Sequence, residues 1–132
     1  MRKLETTSHM GAHAESQFIS FALESGWEVA HPFLKAVAYD SLIRRDPKER
    51  WETVQIKRAY YATKTNMKNR HLEVGLRRRS GVGSKLHAYK EGDFDWLFCY
   101  HEDGRWFMPW DLIKGRRSSM LIGSSRYDLW KV

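Results

Sequence analysis

Asp40, Gln55 and Lys57 are the residues whose types and spacing could carry chemistry. Asp40 lies in Ala38-Tyr39-Asp40-Ser41-Leu42-Ile43, and after a polar break the chain resumes as Val54-Gln55-Ile56-Lys57-Arg58-Ala59. Two strands joined by a turn set Asp40 beside Gln55 and Lys57, and residues two apart in a strand point the same way. A carboxylate, a second oxygen ligand and an ammonium converging at strand ends are what metal-dependent phosphodiester cleavage requires. Aspartate is disfavoured within strands, which marks Asp40 for a task other than pairing. Taken singly, Gln55 and Lys57 are equally at home on a solvated sheet face, and their weight comes from the joint pattern.

The elements that position these residues are legible as periodicities. Residues 11–26 form an amphipathic helix with Ala14, Phe18, Ala22 and Leu23 at helical spacing and Gly26 as its stop; it carries Glu15. Trp27-Glu28-Val29-Ala30 reads as a short strand ended by Pro32, and 37–44 as a second strand. Arg45-Asp46-Pro47-Lys48-Glu49-Arg50 makes the turn into a third over 53–61, with Val54, Ile56 and Arg58 on one face. Residues 62–92 read as an exposed basic excursion, a hairpin with its tip at Ser80-Gly81-Val82-Gly83-Ser84 and only the Leu72, Val74, Leu76 alternation as apolar content.

The apolar run 94–100 is dense enough for a strand buried on both faces, and Glu102-Asp103-Gly104 turns it into Arg105-Trp106-Phe107-Met108. Trp110-Asp111-Leu112-Ile113 suits a helical turn, Met120-Leu121-Ile122 a short edge strand, and 127–132 a tail docked by its aromatics. His13 and His31 stand near Glu15 and a proline respectively, and isolated histidines of this kind receive no role.

Composition narrows the partners. The 132 residues hold one core, and 23 Lys and Arg against 16 Asp and Glu leave a net charge of +7, which favours anionic partners. Six each of Trp, Tyr and Phe exclude a disordered basic tail. With Cys99 as the single cysteine there is neither an internal disulfide nor a thiolate metal cage, which fits a reducing, intracellular setting. No stretch has the length of a membrane span and no apolar signal core opens the chain, so neither a membrane nor secretion is expected. Residues 1–10, with Ser8-His9-Met10, read as a disordered or tag-like N-terminus or as native sequence, ahead of a single domain over 11–132.

The order helix with Gly11 and Glu15, strand, strand with Tyr39-Asp40, strand with Gln55-Ile56-Lys57, basic segment and apolar hairpin resembles the PD-(D/E)XK nuclease superfamily. It is similar above all to the small group I intron homing endonucleases and the Holliday-junction resolvases. Phe94-Asp95-Trp96-Leu97 followed by Trp106-Phe107-Met108-Pro109 looks like their late strand pair.

The resemblance implies an α/β, restriction-endonuclease-like core, a mixed central sheet flanked by helices, with the basic hairpin as an excursion. It implies a nuclease acting on double-stranded DNA with Mg2+, for which Mn2+ substitutes, held by Asp40, Gln55, the Ile56 carbonyl and Glu15. Lys57 then orients the attacking water or neutralises transition-state charge.

Gln55 departs from the family's Asp or Glu. Gln-X-Lys variants occur and an amide oxygen ligates hard cations, but the lost charge weakens metal affinity. That leaves open a non-cutting DNA-binding repressor on the same fold. Lys64, Lys68, Arg70, Arg77, Arg78, Arg79 and Lys85 are the expected DNA contacts, with Arg116-Arg117 a smaller patch. Tyr60 and Tyr61 suit stacking near DNA or core packing. One domain covers few base pairs, so a homodimer or homotetramer is expected, with Trp106, Trp110, Tyr127 and Trp130 either at its interface or finishing the core.

Overall fold

The computed structural model describes residues 7–34, 37–61, 71–79 and 86–132, without the side chains of Thr7 and Arg79. In chain order the elements are α1 (Thr7–Glu24), β1 (Glu28–Ala30), β2 (Ser41–Arg44), β3 (Glu52–Arg58), β4 (Tyr60–Tyr61), β5 (Leu72–Gly75), β6 (Arg77–Arg79), β7 (Leu86–Ala88), β8 (Trp96–His101), β9 (Gly104–Pro109), α2 (Trp110–Ile113) and β10 (Ser119–Met120). A 3-10 helix, Ser125–Trp130, closes the chain.

Helix α1 buries Ala14, Phe18, Phe21 and Ala22, which recur at i, i+4, i+7 and i+8 and so share one face. Leu23, expected on that face, lies nine residues beyond Ala14, about half a turn away at 3.6 residues per turn, and is exposed. The helix also starts at Thr7, ahead of the expected Gly11. It ends where Gly26 takes φ 79° and the Gly26 and Trp27 N–H groups donate to the Leu23 and Ala22 carbonyls, a glycine cap of the kind that satisfies orphan carbonyls.

The central sheet runs β1-β2-β3-β8-β9, with β3 and β8 parallel and every other neighbour antiparallel. One face carries Ile43, Val54, Ile56, Phe98 and Phe107 against α1. The rings interlock there: Phe18 meets Phe98 edge-on at 5.2 Å, and Phe107 stacks on Trp96 at 4.5 Å. The opposite face carries Leu97, Cys99, Trp106 and Met108, packed on Ala59, Leu72, Val74, Leu76, Met120 and Ile122.

A mixed central sheet was expected, but the cover on its second face differs from the expected flanking helix. It is a three-stranded sheet ordered β10-β5-β4. The strand expected over 53–61 therefore breaks at the buried Ala59, and Tyr60–Tyr61 leaves to pair with β5. Leu72, Val74 and Leu76 are fully core residues, so the stretch 72–76 is a structural layer and not an exposed excursion. The basic hairpin is present as β6 paired to β7, with Arg77 opposite Ala88; its expected tip lies outside the described residues. The strand expected at 120–122 is Ser119–Met120 instead. Among the described residues no helix is long and apolar enough to cross a membrane.

Candidate active site

The site forms where β2 stops short. Strand β2 was expected from residue 37 but pairs with β3 only from Ser41, opposite Val54. The Asp40 N–H still donates to the Val54 carbonyl at 2.9 Å. Beyond that point the two chains part, leaving the Ile56 backbone on the same edge of β3 without a strand partner among the described residues. The Asp40 carboxylate fills this gap: Oδ2 accepts the Ile56 N–H at 2.9 Å and the Gln55 Nε2 at 2.8 Å. The same Nε2 donates to the Ile56 carbonyl at 3.2 Å. Both partners only accept, so the amide must turn its NH2 towards them and its oxygen away.

Gln55 and Lys57 share the face opposite α1, as the period of two requires. That face is covered by the second sheet, so the solvent-facing alternative does not hold. Gln55 is buried and Lys57 half-buried. The Lys57 Nζ donates to the Arg77 carbonyl at 3.3 Å and sits 5.5 Å from the centre of the Tyr89 ring. Burial lowers the Lys57 pKa, opposed by the charge of Asp40. Burial likewise raises the Asp40 pKa, opposed by the Ile56 N–H and by Lys57 and His31.

Glu15 reaches the site from α1, one residue past the buried Ala14. It is exposed, and its pKa is raised by partial burial and by Asp40, with His31 acting in the opposite sense. The structure thus brings Asp40, Gln55 and Ile56 into direct contact, with Lys57 and Glu15 in electrostatic reach of Asp40.

Two neighbours were given no role by the sequence reading, His31 although it was named and Tyr89 because it was not. His31 faces the Asp40 carbonyl, its Nδ1 at 3.3 Å, because β1 pairs Ala30 with Leu42 and returns the chain beside Asp40. That pairing was the signal that would have found it. Tyr89, buried beneath Lys57, follows β7 with no pattern to mark it; burial first, then Asp40, raises its pKa far above the phenolic range.

The expected DNA contacts divide. Arg77 is exposed, with Nε donating to the Arg117 carbonyl at 3.1 Å. Arg78 instead turns to the buried Asp93, 3.5 Å away. The backbone of Arg79 is in β6, and Lys64, Lys68, Arg70 and Lys85 lie outside the described residues. Arg116 is occupied by the Tyr127 hydroxyl and the Leu112 carbonyl. Tyr60 is exposed, while Tyr61 packs on the core. Trp106 and Tyr127 are buried and Trp110 and Trp130 pack on the same core, so these aromatics finish the domain.

Among the described residues no three His, Cys, Asp or Glu side chains come together as a metal cage. A cation here would draw on one or two carboxylates with amide and carbonyl oxygens, a donor set that suits a hard ion keeping several waters.

No curated protein matches this chain. A bacterial homing endonuclease, I-Ssp6803I, has a similar solved structure, with 23% identity and a TM-score of 0.75 over 96% of this chain and 89% of that one; at this identity the likeness concerns the fold. The family model described as PD-(D/E)XK endonuclease matches residues 5–127, nearly the whole chain and every residue of the site. With a match of this extent, the chain belongs to the PD-(D/E)XK endonucleases.

Proposed function

We propose that this protein is a metal-dependent endonuclease of the homing type that hydrolyses phosphodiester bonds in double-stranded DNA. The observation that carries this reading is the gap between β2 and β3, where Asp40, Gln55 and the Ile56 carbonyl converge with Lys57 alongside. Nucleases of this family typically use divalent metal ions, and the donor set here fits magnesium, with manganese as a substitute. When bound, such an ion supplies positive charge to the scissile phosphate and acidifies a water.

The residues of the chain do the rest. Asp40 is the anchor, fixed by the Ile56 N–H, and Glu15 supplies a second carboxylate from the helix side. Gln55 contributes its amide oxygen after a half-turn of the amide. Lys57 holds an ammonium next to the reacting phosphate and stabilises the charge that accumulates in the transition state. Burial lowers its pKa, and the facing charge of Asp40 opposes that shift and favours the ammonium.

Double-strand cutting at a long site requires two or four copies arranged with the symmetry of the DNA, so a homodimer or homotetramer is part of the proposal. A second reading is a DNA-binding protein that has lost cleavage. It is favoured by the Gln55 amide, which satisfies Asp40 without any metal.

Incubation of purified protein with supercoiled plasmid and a library of duplex sites, in magnesium, in manganese and in EDTA, tests both. Cutting in either metal and none in EDTA supports the nuclease. Retardation of the same DNA with no cutting in any metal supports the second reading instead.

A further inference from the structure

Five of the six phenylalanines are at most 7% exposed, and the sixth, Phe33, is 100% exposed, with Leu34 beside it at 67%. This pair protrudes from the active-site end of the sheet. Strands β1 and β2 run antiparallel with Ala30 opposite Leu42, so the chain leaving β1 emerges beside the chain entering β2, where Asp40 stands. His31 touches the Asp40 carbonyl, and Phe33 follows two residues later, at most about 7 Å further along the chain. Pro32 lacks an N–H and ends β1, which turns Phe33 away from the sheet and from both cores. A fully hydrated aromatic ring at this place has no packing role in the domain.

We propose that Phe33, backed by Leu34, is a wedge that inserts between nucleobases next to the scissile phosphate. This rests on the endonuclease reading above. DNA seated with a phosphate at Asp40 brings its neighbouring base steps within reach of the ring, since steps along one strand repeat about every 3.4 Å. Apolar side chains inserted at base steps partly unstack them and kink the duplex. A kink at the cleavage point turns the phosphate out towards a site recessed between two strands. Strong positive charge brings the duplex in, and the ring then acts on its bases and not on its charge.

The test uses the full-length protein carrying Lys57→Ala, so that binding is read without cutting. Closed circular plasmid is relaxed by a topoisomerase with and without this protein, and the change in linking number is read after deproteinisation. It is compared, at equal bound protein by gel retardation, with Phe33→Ala and Phe33→Trp in the same background.

Wedge insertion predicts a clear unwinding that Phe33→Ala lowers roughly threefold or more and Phe33→Trp retains. Circular dichroism confirms folding of both variants, which is expected for a residue without contacts. Retardation with no unwinding, or with unwinding indifferent to residue 33, overturns the wedge and leaves the endonuclease reading intact. Absence of retardation for the parent protein in every metal overturns both. A smaller assembly for Phe33→Ala by sedimentation, without any change in unwinding, overturns the wedge in favour of a contact between copies.

Discussion

The Gln55 amide donates through Nε2 to Asp40 Oδ2 at 2.8 Å and shares that NH2 with the Ile56 carbonyl at 3.2 Å. The two oxygens it bridges are both among those that the proposed site offers to a cation. Glutamine therefore stands in for positive charge when no ion is bound, a task that the family's Asp or Glu at this position has no proton to perform.

Gln55→Glu should separate these roles. A carboxylate facing Asp40 loses a hydrogen bond to a charged group, which costs the metal-free protein about 1.5–3 kcal/mol. It also adds a charged ligand, which should tighten metal binding by about tenfold or more. Thermal melts in EDTA and titration calorimetry with manganese measure the two effects. A variant that is more stable without metal and binds it no better would contradict the arrangement.

Asp40 predicts a pH-dependent stability. Its pKa is raised, chiefly by burial, so the folded state prefers the protonated acid. That preference stabilises the protein at low pH and is lost as pH rises through the folded pKa, so ionising the buried carboxylate destabilises the metal-free fold. Asp40→Asn, which retains an acceptor for the Ile56 N–H, should raise the melting temperature in EDTA at pH 7 by a few degrees. The gain should vanish below the ordinary carboxylate range. A gain of equal size at both ends of the pH series would show that its origin is not ionisation.

These residues were unequally legible in the sequence. The helix stripe of Ala14 and Phe18 and the strand with Gln55 and Lys57 are local patterns, and the structure carries both, while Asp40, expected inside a strand, stands just ahead of β2. The second layer was not legible, because Leu72, Val74 and Leu76 form a very short alternation among many basic residues, and their burial depends on partners far away in sequence. The parallel pairing of β3 with β8 leaves no turn signal for the same reason. The early stop of β2, which opens the site, arises from the departure of the chain and not from any residue that forbids pairing. The expected strand 37–44 consequently ran too long.

Arg77 and Arg78 should behave differently although they are adjacent. Arg77 is exposed on the hairpin, and Arg77→Ala should reduce the slope of log affinity against log salt by about 0.9, the release expected for one lost phosphate contact. Arg78→Ala leaves the buried Asp93 without its ion pair and should cost about 1–3 kcal/mol of stability with a smaller effect on that slope. Salt-dependent DNA binding together with chemical denaturation reads both, and the reverse pattern would mean that the hairpin presents its other face to DNA.

The most direct test of the site is Lys57→Ala. Its ammonium is held by the Arg77 carbonyl and the Tyr89 ring, beside Asp40, and contributes to no strand pairing. Single-turnover cleavage of a mapped duplex site should fall by about 10²–10³-fold or more, while the affinity for the same duplex, measured in EDTA, stays within a few-fold. Cleavage at close to the parent rate by a folded Lys57→Ala protein would contradict the account, because the gap between β2 and β3 would then not be where the phosphodiester is cut.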